Sequence, residues 1–113
     1  MDREALAELL DRPSAACRAA RVALRRGGEY RVWDDSRVPA YRLASTYRSR
    51  LRNTERRGVE TLDLRDTVET LDQLGNEQLA LGQVVAPEGA WAFVLFLRPG
   101  CAELIACTGV RRR

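Results

Sequence analysis

Trp91-Ala92-Phe93-Val94-Leu95-Phe96-Leu97 is a run of seven uncharged, almost wholly apolar residues. In an extended chain successive side chains alternate across the pleat. Trp91, Phe93, Leu95 and Leu97 therefore share one face, and Ala92, Val94 and Phe96 the other. Both sets are apolar, which is the pattern of a strand buried on two sides. Pro87-Glu88-Gly89 before it and Pro99-Gly100 after it are turn signals, so the strand reads as the middle of an antiparallel meander.

Its neighbours in sequence fit. Gln78 to Ala86 alternates, with Leu79, Leu81 and Val85 on one face and Ala80, Gly82 and Val84 on the other. Gly82 marks a bulge or a close approach by a neighbour. Cys101 to Thr108 is the third strand. There Ala102, Leu104 and Ala106 oppose Cys101, Glu103, Ile105 and Cys107, and Glu103 makes the latter face wet near the turn.

Upstream, the pentapeptide VETLD occurs twice, at Val59–Asp63 and Val68–Asp72. Nine residues separate the copies, which puts them on opposite sides of either a helix or a strand. If both bury their Val and Leu in one core, the chain breaks between them, near Arg65-Asp66. Glu60 to Leu64 reads as a strand. The second copy has two readings. Asp66 and Glu69 form a capping box for a helix with Val68, Leu71 and Leu74 at helical spacing and Gly75 as its stop. Alternatively, Thr67 to Gln73 is a strand entering a Gly75-Asn76 hairpin turn. The strand is the preferred reading of the two.

Pro39 opens the longest helix, Ala40 to Arg57. Leu43, Tyr47 and Leu51 repeat at four and form its inward stripe. Arg48, Arg52 and Arg56 repeat at four on an adjacent face, flanked by Arg42, Arg50 and Arg57. Ser36 to Gly58 carries a net +6, and Val59 to Glu77 a net −5. The arginine helix either lies along a phosphate backbone, meets an acidic protein partner, or is neutralised by the acidic segment that follows it. Before this helix, Glu29 to Trp33 is a first strand, broken at Asp34-Asp35-Ser36, whose carboxylates suit a turn or cap. Two N-terminal helices come first. Asp2 to Leu10 has Asp2 as N-cap, and the alanine-rich Ser14 to Arg26 stops at Gly27-Gly28. Arg18, Arg21 and Arg25 share a solvated face.

One domain suits a chain of 113 residues. Residues 1–28 form a helical arm or lid, 29–110 the core, and 111–113 a basic tail. The expected class is α+β: a C-terminal antiparallel meander of three or four strands packed against the long central helix, with two N-terminal helices. The open question is what covers the second face of the central strand. Left bare, it would be a large apolar patch. Either the N-terminal helices cover it, or a second copy does; a homodimer through Trp91, Phe93 and Leu95 is the preferred expectation.

Composition bounds the chemistry. There is no histidine and no lysine, and all 19 basic residues are arginine. The commonest general base and metal ligand is missing, as are the Schiff-base amine and the P-loop lysine. Arginine used this exclusively looks like codon bias, which weakens the arginine count as a sign of phosphate binding. Cys17, Cys101 and Cys107 lie at no metal-ligand spacing. Cys101 and Cys107 on one strand stand about 20 Å apart, too far for a shared metal or a disulfide. The three are expected as reduced, buried thiols, and no cofactor or metal is implied. Asp2, Glu4 and Glu8 are unlike a signal peptide. No apolar run approaches the roughly 20 residues of a membrane span, so a cytoplasmic protein without a membrane partner is expected.

Three functions remain on this reading. The first is a small non-enzymatic binding or accessory protein acting through protein contacts, with another protein or with itself. The second is a nucleic-acid-binding module using Arg42, Arg48, Arg50, Arg52 and Arg56. The third is a small enzyme or ligand carrier with a pocket between sheet and helices.

Overall fold

A computed structural model describes residues 1–100 and 103–111. The elements are α1 (Arg3–Leu9), α2 (Ala15–Arg25), β1 (Glu29–Pro39), α3 (Ala40–Arg57), β2 (Thr61–Leu62), α4 (Leu64–Leu74), β3 (Gln78–Val85), β4 (Trp91–Leu97) and β5 (Leu104–Arg111). The strands form one antiparallel sheet in the order β1-β3-β4-β5-β2. The class is α+β, and β3, β4 and β5 are the meander. Cys101, Arg112 and Arg113 lie outside the described residues.

The sheet has a helical layer on each side. On one, Leu6, Leu10, Ala16, Ala20 and Leu24 of α1 and α2 pack on Ala80, Val84, Phe93, Leu95 and Leu97. On the other, Leu43, Ala44 and Leu71 of α3 and α4 pack on Leu79 and Phe96. The two apolar sets of β4 thus serve two cores, which is why a central strand without polar alternation is stable here. Phe93 and Phe96 are 1% and 0% exposed; burying each contributes about 1.5–3 kcal/mol. The alanines of α2 keep that helix close to the sheet.

The second face of β4 is therefore covered by the chain's own N-terminal helices. Phe93 and Leu95, expected at a dimer interface, are buried beneath α1 and α2. Arg3 helps to hold this layer in place: its guanidinium donates to the carbonyls of Leu24 in α2 and Gly28 just beyond it, 2.7 Å from each.

Three local expectations change. First, β1 does not end at Trp33. It continues to Pro39 through a bulge in which β1 passes from Trp33 to Val38 while β3 passes only from Leu81 to Leu79. The Ser36 hydroxyl fills the gap in the ladder, accepting from the Leu81 N–H at 3.0 Å and donating to the Trp33 carbonyl at 2.6 Å. Second, residues 64–74 are helix α4, not the preferred strand. As a strand, either face would mix Thr67, Glu69 and Gln73 with Leu71, or Asp72 with Val68. As a helix, Leu64, Val68 and Leu71 gather on one buried side. Asp63, not Asp66, is the N-cap residue, and the side chain of Asp63 makes no bond to α4. The strand expected at Glu60–Leu64 shrinks to Thr61–Leu62.

Third, β5 is out of register with simple alternation. Phe96 faces Ala106, but Leu97 faces Leu104. The extra residue turns Cys107 to the α1/α2 side together with Leu104, while Ile105 and Ala106 both face α3 and α4. Cys107 does not share a face with Ile105 as the alternating pattern implied.

Helix α3 has the expected bounds. Proline sets its entry, and Gly58 at φ 66° ends it in the left-handed conformation, where the N–H of Gly58 reaches the Thr54 carbonyl. Tyr47 meets Phe96 edge-on, with ring centroids 5.3 Å apart. No helix among the described residues is long and apolar enough to cross a membrane.

Candidate functional site

The arginines of α3 divide into two sets. Arg48 forms an ion pair with Asp72 of α4. Arg50 lies over the Tyr47 ring, 5.5 Å from its centroid. Burial pushes the Tyr47 phenol up from its ordinary value, and the Arg50 cation opposes that rise. Arg42, Arg52 and Arg56 are exposed; among the described residues none of the three has an ion pair. The two acidic contacts between α3 and α4 are Arg48–Asp72 and Arg65–Glu55. Neutralisation by residues 59–77 is partial, and it spares the Arg52–Arg56 face.

A different surface has more shape. Helix α2 runs beside the tight β3–β4 turn, where the Ala86 N–H reaches the Trp91 carbonyl at 2.9 Å and the Gly89 N–H reaches the Ala86 carbonyl at 2.8 Å. Between them is a groove of about 460 Å³. Ala15, Ala19 and Val22 form its helical wall. Ala86 and Pro87 form the opposite wall, Trp91 and the edge of Phe93 the floor, and Arg18, Arg26 and Glu88 the rim.

The groove follows from the sequence of α2. Ala16, Ala20 and Ala23 face the sheet and are buried. Rotated by about a third of a turn, Ala15, Ala19, Val22 and Arg26 repeat at three and four residues and make a second stripe. Small side chains keep that stripe low. Val22 stands out of it at 54% exposure. Trp91 is half-buried and stacked on Phe93 with centroids 6.1 Å apart. The Arg111 guanidinium also lies over the Trp91 ring, 5.9 Å from its centroid. The arrangement offers an apolar trough with cations at its rim.

Of the residues expected at an interface, Trp91 alone reaches this trough with more than an edge. Val22, Arg18 and Arg26 were not singled out by the sequence as a site. The signal that could have found them was the second α2 stripe, whose Val22 breaks an otherwise alanine and arginine face. No protein-family model matches the chain, and neither do curated proteins or solved structures. What the geometry defines is an α+β domain with a cation-rimmed apolar groove.

Proposed function

We propose that this chain is a small binding or accessory protein that acts through protein contacts, and that the α2–β4 groove makes them. The observation that carries the reading is Val22, exposed across the trough from Trp91 and between Arg18 and Arg26. Apolar surface of this kind, ringed by charge, is how protein partners are held. The rim selects the occupant: with two arginines against one glutamate, a segment with leucine-like anchors at i and i+4 and acidic flanks fits best.

The test uses a synthetic amphipathic helix bearing leucines on one face and glutamates on the other, followed by Trp91 fluorescence in a Trp33→Phe background. Micromolar binding that weakens with salt, and that Val22→Asp abolishes, supports the reading. Equal affinity for the Val22→Asp protein, or for a lysine-flanked peptide, sinks it. Self-association through the same groove is the competing occupant. Light scattering at micromolar concentration that returns a dimer, lost in Val22→Asp, would replace the heterologous partner with a second copy.

Nucleic-acid binding along α3 is the second reading, favoured by Arg52 and Arg56, which are exposed and have no ion pair among the described residues. Phosphate contacts release counterions, so affinity for duplex or single-stranded DNA must fall steeply as salt rises. Arg52→Glu with Arg56→Glu must remove it. Absence of binding at low salt ends this reading.

A further inference from the structure

Cys17 and Cys107 are 90 positions apart in sequence and meet in the core. Cys17 is the third residue of α2, and its N–H is taken by the hydroxyl of the Ser14 cap at 3.1 Å. Cys107 comes from β5, turned towards α2 by the irregularity after Leu104. The two thiols influence one another's ionisation, and the Cys107 Sγ lies 3.9 Å from the Thr108 carbonyl oxygen. Both are free thiols, 2% and 3% exposed. Burial alone would make them inert packing, but they also line a cavity of about 340 Å³, whose wall includes Arg12, Ser14, Asp63, Thr67 and Thr70.

The surroundings are polar for a protein interior. The Arg12 guanidinium is anchored on the carbonyl of Leu104 at the start of β5. The Thr67 hydroxyl donates to the Cys107 carbonyl at 3.2 Å. The Cys107 S–H, the Ser14 hydroxyl, the Arg12 cation and the N-terminal end of α2 all favour negative charge on the Cys17 sulfur. Burial and Asp63 oppose it, and the balance brings the Cys17 thiol down to about 6. Cys107, which shares its proton and sits deeper, is pushed well above the ordinary thiol value. The pair thus sets a sulfur that favours the thiolate beside one that keeps its proton.

We propose that Cys17 and Cys107 are an oxidisable dithiol site, in which a small hydroperoxide entering the cavity converts the pair to a disulfide linking α2 to β5. The Cys17 thiolate attacks one peroxide oxygen, the O–O bond breaks, and the departing alkoxide takes a proton from solvent. This leaves Cys17 as a sulfenic acid. The Cys107 sulfur then attacks the Cys17 sulfur, the S–O bond breaks, and the leaving hydroxide takes the Cys107 proton as water. Two thiols and one hydroperoxide become one disulfide, one alcohol and one water; sulfur is oxidised and the peroxide reduced. Both side chains line the same cavity, and a disulfide between them requires their Cα atoms to stand within about 7 Å of each other. The site is independent of the groove proposed above.

The experiment treats the whole Cys101→Ser chain with one equivalent of hydrogen peroxide. Free thiols are expected to fall from two to none, with the mass reduced by two hydrogens. A proteolytic map should join the peptides of Cys17 and Cys107 within one chain, and dithiothreitol should reverse the change. In the Cys107→Ala protein the reaction should stop at Cys17 and be trapped by dimedone. Two thiols surviving, a bond between two chains, or sulfinic acid without a disulfide would each overturn the proposal. Peptide mapping of the Cys101→Ser chain decides the matter even if a buried Cys→Ala variant fails to fold.

Discussion

The carboxylate of Asp63 accepts a hydrogen bond from the backbone N–H of Ala16 at 2.7 Å. The corner between β2 and α4 thereby caps a helix 47 residues earlier in the chain. Asp63 is also the non-glycine residue with positive φ, 55°, among the described residues. Its carbonyl takes the Thr67 N–H at 2.9 Å and starts α4. Replacing Asp63 by alanine loses the cap and leaves a Cβ in the left-handed region without a polar side chain to favour it. We expect Asp63→Ala to cost about 1–2 kcal/mol in urea unfolding, and Asp63→Asn, which keeps an acceptor and tolerates that conformation, to cost less than half as much. Equal losses in the two variants would show that the carboxylate does not cap α2.

Gly109 of β5 lies opposite Phe93. A Cβ there would stand 2.7 and 2.8 Å from the ring carbons Cδ1 and Cε1. The ring is stacked on Trp91 and is 1% exposed. Gly109→Ala should destabilise by about 1–3 kcal/mol. Gly82→Ala, whose Cβ would meet the Leu95 side chain at 3.2 Å, should cost less, because an aliphatic chain yields more easily than a stacked ring. Denaturant midpoints in the reverse order would mean that Phe93 is not fixed as described.

The ion pair of Arg48 with Asp72 is half-exposed on both sides. Water screens it, so Asp72→Asn should change stability by less than about 1 kcal/mol. Leu71, the residue beside it, is fully buried; Leu71→Ala should cost about 2–5 kcal/mol. A large loss in Asp72→Asn would mean that charge pairing, rather than the Leu71–Phe96 core, binds α4 to the rest. The same Asp72→Asn protein raises the positive field of α3. If α3 binds nucleic acid, its affinity rises.

Stability should also depend on pH through Cys17. Its thiol ionises at about 6 in the folded chain, against 9.0 ordinarily. Between those values the unfolded chain holds a proton that the folded chain lacks. Stability from this source is therefore complete above the ordinary thiol value and is lost as pH falls towards 6. The raised Cys107 acts with the opposite sign, above pH 9. In a Cys101→Ser background, the difference in stability from the Cys17→Ala protein should grow in favour of the parent from pH 6 to 9. Iodoacetamide should react with Cys17 at half its maximal rate near pH 6. A half-maximum near the ordinary thiol value would mean that Cys107 does not donate to it.

Much of the scaffold was legible. Asp2 caps α1 through Ala5, as its residue type implies. The groove was not legible, because a trough is made by two elements and only Trp91 announced itself. Val22 looks, in sequence, like one more helix residue. The dithiol was hidden more deeply. Strict alternation along β5 puts Cys107 on the face of Ile105, and only the extra residue opposite the Phe96–Leu97 step brings it to α2.

Local pattern alone settled α3 and β4. An entry proline, a stripe at four-residue spacing and a terminal glycine define α3. Seven apolar residues between two turns define β4. Neither needs knowledge of the rest of the chain. The two VETLD copies needed all of it. Thr61-Leu62 of the first pairs with Gly109 and Val110 as a strand, whereas the second lies wholly within α4. Identical residues carry identical intrinsic preferences. The energy that separates the two outcomes comes from what each copy is buried against, and that exists only once the sheet is assembled.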